Sequence, residues 1–167
     1  MAAYKTIFGS LAKYNKGGVE VIADNPKNYV FSNVFEVASK SKPYERVAVA
    51  KNFEFVIECL RAEGQSAWYT AAHDEFALCM DGAVEVSLWK LDKPEAAAPK
   101  GSDGAVRLPG EPAGRKMGRI VLGKGHQALL PTGAAYRFQA QQPGVLLIQT
   151  VQGRETLERW PQICQLA

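Results

Sequence analysis

His73-Asp74-Glu75-Phe76-Ala77-Leu78-Cys79-Met80-Asp81-Gly82 and, further on, Gly125-His126-Gln127-Ala128-Leu129-Leu130-Pro131-Thr132-Gly133-Ala134-Ala135-Tyr136-Arg137-Phe138-Gln139-Ala140 are the stretches that decide how this chain folds. Each is a short apolar run closed by Asp-Gly or Pro-Thr-Gly, the pattern of short strands joined by tight turns. Asp81-Gly82 lies between the runs 75–80 and 83–91 and predicts a hairpin, because such residues accept the positive φ of tight turns.

Working outward, runs rich in β-branched and aromatic residues predict further strands at 18–23, 29–37, 45–50, 53–61, 67–71, 119–122, 127–130, 135–140 and 145–151. Many short strands between regular turns argue an all-β barrel of the jelly-roll kind, in one domain spanning residues 1–167. Three segments depart from this pattern. Residues 5–15 place Ile7, Phe8, Leu11 and Tyr14 near helical spacing before Gly17-Gly18, which predicts an N-terminal helical arm over 1–17. Residues 92–114 hold four prolines and four glycines and are expected to be one long loop, while 156–160 is expected to form a terminal helical turn.

Composition narrows the function classes. The chain has 167 residues with 47% hydrophobic content, enough for a real core. Its net charge of +3 comes from 20 basic and 17 acidic residues scattered without a basic tract, which argues against nucleic acid. No run resembles a secretory signal or a membrane span, so a cytoplasmic protein is expected. Cys59, Cys79 and Cys164 are odd in number and widely spaced, consistent with reduced thiols, the first two in the core.

The two opening stretches resemble the paired motifs of the cupins, a family of small β-barrels, and the likeness covers about residues 45–153. Glu75 stands seven residues before Gly82, and Gly125, Pro131 and Gly133 keep the second motif's spacing. The positions at which that family places its metal-binding histidines hold Trp68 and Thr70, or Tyr69 and Ala71, in the first motif, and Tyr136 in the second. A mononuclear metal site needs three or more His, Asp, Glu or Cys donors. The chain has two histidines, His73 and His126. His73 is expected on the same strand face as Glu75, and His126 at a solvent-facing turn.

A narrower resemblance rests on Tyr4-Lys5-Thr6-Ile7-Phe8-Gly9-Ser10, on Tyr29-Val30-Phe31-Ser32-Asn33-Val34-Phe35-Glu36-Val37-Ala38 and on Ala72-His73-Asp74-Glu75-Phe76-Ala77-Leu78. These segments are similar to the small subunit of two-component hydroquinone 1,2-dioxygenases. The resemblance implies a partner about twice as large that holds ferrous iron, two copies of each chain, and ring opening of hydroquinone by dioxygen to 4-hydroxymuconic semialdehyde. It implies no catalytic residue and no metal ligand in this chain.

The expected contribution of this chain is a phenol-sized pocket lined by Trp68, Tyr69, His73, Glu75 and Tyr136. The 92–114 loop, the N-terminal arm and Trp160-Pro161 are the expected interface. Two alternatives remain open from the residues: a self-contained metal enzyme using His73, Glu75 and Tyr136, and a metal-free cupin that binds a small molecule.

Overall fold

The computed structural model describes residues 9–17, 20–25 and 32–163. Along the chain lie α1 (Val34–Lys40), β1 (Arg46–Asn52), β2 (Phe55–Gln65), β3 (Tyr69–Ala71), β4 (Glu75–Asp81), β5 (Ala83–Leu91), α2 (Pro94–Ala97), β6 (Ala105–Arg107), β7 (Gly114–Gly123), β8 (Gln127–Leu130), β9 (Ala134–Val151), β10 (Thr156–Leu157) and α3 (Trp160–Ile163). The fold is the expected all-β, cupin-type barrel with a short helix ahead of it.

β9, which the sequence divides at Gln141–Gly144, is one bent strand of 18 residues and serves as the spine. Its second half joins the sheet β10-β1-β2-β9-β4-β8, and its first half joins the sheet β6-β3-β9-β5-β7. The two sheets face each other across a core that includes Leu60, Leu122, Leu130, Tyr136, Phe138, Leu146 and Ile148. Period-two alternation assigns these side chains to the inside, as in β5, where Val84, Val86 and Leu88 are buried between partly exposed neighbours.

The hairpin expected at Asp81-Gly82 does not form. β4 pairs with β8 and β9, and β5 with β7 and β9, so the two runs follow one another along the same flank of β9. Gly82, at φ 77°, turns the chain from one sheet into the other. A Cβ there would lie 3.0 Å from the Gly144 Cα, and one on Gly144 would lie 2.5 Å from the Asp81 carbonyl oxygen. The corner therefore needs both glycines.

The N-terminal region differs from expectation. Leu11 to Lys13 is a bend, not helix, residues 20–23 form no strand, and residues 1–8 of the expected arm lie outside the described residues. The helix sits instead at Val34–Lys40, overlapping the end of the 29–37 segment read as a strand and running on into the residues after it. Asn33 caps it by accepting from the N–H groups of Phe35 (3.0 Å) and Glu36 (3.2 Å), and Lys40 closes a 2.6 Å ion pair with Glu36 one turn earlier. The helix buries Val37 and Ala38 against Val47, Cys59 and Val145 on the outer face of the first sheet.

Residues 92–114 are not wholly loop. They contain α2 and β6, and β6 pairs with β3 through Tyr69↔Arg107 and Ala71↔Ala105. The terminal turn expected at 156–160 is β10, running parallel to β1, followed by α3. Cys59 and Cys79 are free, buried thiols, and Cys164 lies outside the described residues. Among the described residues no helix is long and apolar enough to cross a membrane.

Candidate functional site

Inside the barrel, Glu75 from β4 and Tyr136 from β9 converge, as the motif spacing anticipates. What they converge on is the guanidinium of Arg46, from β1. Arg46 donates through Nε to Glu58 Oε2 (2.5 Å), through Nη2 to Glu75 Oε1 (3.0 Å) and through Nη1 to the Tyr136 hydroxyl (3.1 Å). Tyr136 in turn donates to Glu75 Oε2 (2.5 Å), and Thr156 on β10 donates to Glu58 Oε1 (2.6 Å). Each carboxylate oxygen thus has a donor. The cluster is sealed, with Arg46 2%, Glu58 1%, Glu75 0% and Tyr136 1% exposed.

Burial opposes the charge on Arg46, but Glu58, Tyr136 and Glu75 outweigh it and hold the guanidinium well above its ordinary range. Burial drives the Tyr136 hydroxyl well above the usual phenol value; Glu75 adds to this and Arg46 opposes it. The permanent cation of this barrel is therefore an arginine, with a protonated phenol beside it.

These residues do not fit a metal. A divalent ion at this point would meet a guanidinium, and the described residues contain no group of three His, Cys, Asp or Glu that could hold one. His73 is not part of the cluster, which corrects the expectation that it shares a face with Glu75. It lies in the bend before β4, where strand alternation does not apply, and its Nε2 meets the Thr150 hydroxyl (2.9 Å) and the Val151 N–H (3.3 Å). The set of His73, Glu75 and Tyr136 is not assembled. His126 is exposed at its turn, its Nδ1 accepting from the Gly123 N–H at 3.1 Å.

The remaining candidates separate because neighbours on a strand point to opposite faces. Tyr69 is turned inward. Its ring stacks on Tyr136 with centroids 6.1 Å apart, and Arg46 lies over it at 5.4 Å. Trp68 points the other way, edge-on to Trp89 at 6.0 Å, with the Arg137 guanidinium 4.6 Å from its ring centre. Segment 105–110 covers it, anchored by the Leu108 N–H donating to the Trp68 carbonyl at 2.8 Å. The indole N–H groups of Trp68 and Trp89 are both buried without a hydrogen-bond partner. A cleft of about 360 Å³ beside Trp68 is lined by Ala67, Arg107 and Leu108 to Gly110.

Arg46 and Glu58 escape the sequence motifs. Glu58 is detectable in hindsight as a carboxylate in the apolar run Val56-Ile57-Glu58-Cys59-Leu60, at the same parity as the buried Val56 and Leu60. A charge at an inward position demands a partner of opposite sign.

No protein-family model and no curated protein matches the chain; solved structures do. A chain of hydroquinone 1,2-dioxygenase from Sphingomonas sp. TTNP3, with 4-hydroxybenzoate bound, is 59% identical over 98% of this chain and 99% of its own length, with a TM-score of 0.94. This chain belongs to the hydroquinone 1,2-dioxygenase family. A chain of the hydroquinone 1,2-dioxygenase PnpCD, in complex with Cd2+ and 4-hydroxybenzonitrile, is 50% identical over 99% of both chains, with a TM-score of 0.91. A PnpCD structure in complex with Fe3+ supplies a second, longer chain, of which 39% is covered at 12% identity and a TM-score of 0.61, a likeness of fold alone. A cupin-2 domain protein from Shewanella frigidimarina shares the fold at 14% identity, with a TM-score of 0.50 over 70% of this chain. Within the hydroquinone 1,2-dioxygenases, this chain is the smaller subunit.

Proposed function

We propose that this subunit acts beside a larger partner that carries ferrous iron, in an assembly of two copies of each, and that the assembly opens hydroquinone to 4-hydroxymuconic semialdehyde. The observation that carries this reading is the guanidinium of Arg46, seated among Glu58, Glu75 and Tyr136 where the barrel's donors converge. With its central donors committed to a fixed cation, this chain supports the reaction by shape and packing. The iron supplies the activation of dioxygen, and it belongs to the partner.

The pocket-lining role expected of five residues narrows accordingly. Glu75 and Tyr136 are sealed inside and His73 is engaged with Thr150 and Val151, so all three act by holding the barrel. Trp68, whose ring lines its cleft, is the side chain suited to close a phenol pocket at the partner's surface. Tyr69 opens on a different cavity, taken up below.

The test is co-expression with the larger subunit, followed by size-exclusion chromatography with light scattering and metal analysis. The two chains are expected to elute together at the mass of a heterotetramer, with iron and ring-cleaving activity in the complex and no stoichiometric iron in the small subunit alone. Separate elution, or one iron per isolated small subunit, would overturn the proposal. In the assembled enzyme, Trp68→Ala is expected to raise the KM for hydroquinone several-fold with assembly unchanged. An unchanged KM would make Trp68 a packing residue.

A further inference from the structure

Above the sealed cluster the barrel opens into a cavity of about 360 Å³. Arg46 forms part of its floor, Tyr44 and Tyr69 its walls, and Arg107, Arg154 and Glu155 its rim. A volume in this range admits a small organic molecule but not a nucleotide-sized one. The second carboxylate at the rim, Glu45, is already taken, because Arg159 grips both its oxygens at 3.1 Å.

The polar groups facing this cavity are unequal in sign and incompletely paired. Arg107 and Arg154 form no ion pair among the described residues, and against their two guanidiniums stands one unpaired carboxylate, Glu155. Tyr69 is 5% exposed, yet its hydroxyl donates to nothing among the described residues and is not sealed, as the two indole N–H groups are. Such a hydroxyl is a donor waiting for an acceptor. The Tyr44 hydroxyl, by contrast, donates to the Gly64 carbonyl at 2.7 Å.

We infer that the barrel mouth is a binding site for a small planar monocarboxylate of about six or seven carbons. Its carboxylate would sit between Arg107 and Arg154 with the Tyr69 hydroxyl donating to it, and its flat carbon skeleton would lie along the aromatic walls. Guanidinium forks match carboxylate geometry, and an aromatic wall favours a flat, unsaturated body. At the rim, two guanidiniums against one carboxylate leave one excess positive charge, which suits a monoanion better than a doubly charged phosphate. The floor cluster, one guanidinium against two carboxylates, keeps the ligand's own charge at the rim. Two kinds of molecule share this chemistry: aromatic acids, and the open-chain dienoic acids that ring cleavage yields. The carboxylate site rests on the cavity alone; only the naming of ring-opened acids rests on the proposed function.

Calorimetric titration of the iron-loaded, two-subunit enzyme separates these possibilities, with benzoate as the aromatic probe, sorbate as the open-chain probe, and neutral benzamide and inorganic phosphate as controls. The proposal expects saturable binding of one acid per small subunit. It expects this binding to weaken at least about tenfold in the double variant Arg107→Ala/Arg154→Ala, a fold-change typical of losing charge-assisted hydrogen bonds. The melting temperature of that variant is expected to match wild type, because both arginines are exposed. Hydroquinone turnover without added acid is expected to match wild type in the single variant Arg154→Ala, which lies away from the Trp68 cleft. Tyr69→Phe is expected to weaken the same binding more mildly. Preference for sorbate over benzoate assigns the site to a ring-opened acid, and the reverse to an aromatic one. Equal affinity in wild type and the double variant, no saturable binding of either acid, or tighter binding of phosphate or benzamide would overturn the proposal. Failure of the two chains to co-purify would count against the subunit reading instead, and the titration would be read on the small subunit.

Discussion

Arg46 at the bottom of the barrel mouth and Arg107 with Arg154 at its rim are three guanidiniums around one cavity, held in opposite ways. Arg46 is 2% exposed and bonded to two carboxylates and a phenol. The rim pair is exposed and has no ion pair among the described residues. The difference teaches where each charge can do work. A charge removed from water must be matched by its own protein, because an unmatched one costs several kcal/mol. A charge left in water costs nothing to leave open, and so remains available to a ligand.

The most forceful way to break this comparison is Arg46→Ala, which strands Glu58 and Glu75 in the interior without their cation. A loss of about 3–5 kcal/mol in urea unfolding is expected, as for other broken buried ion pairs. The triple variant Arg46→Met/Glu58→Leu/Glu75→Leu, which removes all three charges together, is expected to recover much of that loss. If the single variant behaves like wild type, the cluster does not hold the barrel.

Tyr136→Phe is a smaller cut. It removes one donor to Glu75 and one acceptor for Arg46 while leaving the ring stacked on Tyr69, with an expected cost of about 1–3 kcal/mol by the same measurement.

The mildest perturbation is alkali. Burial raises the Tyr44 hydroxyl to about 12, and it raises Tyr69 and Tyr136 as well. The unfolded chain ionises these phenols near pH 10, whereas the folded chain keeps them protonated. Their contribution to stability is therefore complete below about pH 10 and lost as pH rises through the folded values, about 12 for Tyr44. Near-ultraviolet titration is expected to show tyrosinate absorbance from Tyr136 appearing only with unfolding, and from Tyr44 and Tyr69 above the ordinary phenol range. Their smooth ionisation near pH 10 in the folded protein would mean that the barrel interior is wet.

Much of the fold is legible in the chain, and the misses have two causes. Apart from β6 and the first half of β7, the strands from residue 45 to 151 follow from alternation and turn residues, which are local properties. Helix α1 was also legible, since Asn33 and Glu36 stand three apart as a capping pair, but the aromatic and β-branched residues around them point towards a strand. The failed hairpin at Asp81-Gly82 is different in kind. The turn residues are present and the chain does turn, but which strand lies beside which depends on the edges that β9 offers.

The candidate site divides in the same way. Glu75 and Tyr136 could be marked from spacing, and the missing histidines from counting. That they close on Arg46, 29 and 90 residues away, could not, because ion pairs between distant strands leave no local trace. Nor could the parting of Trp68 and Tyr69 into a cleft and a barrel mouth, although alternation alone requires that they face apart.

By itself, the sequence determined a barrel built on cupin-like punctuation and the scarcity of metal donors within it, because glycine, proline and histidine positions act through local geometry and simple stoichiometry. Only the tertiary structure decided what fills the place where those donors converge, and which arginines are paired and which are open. Burial and pairing are properties of residues brought together from different strands, and they exist only once β1, β2, β4 and β9 enclose a common interior.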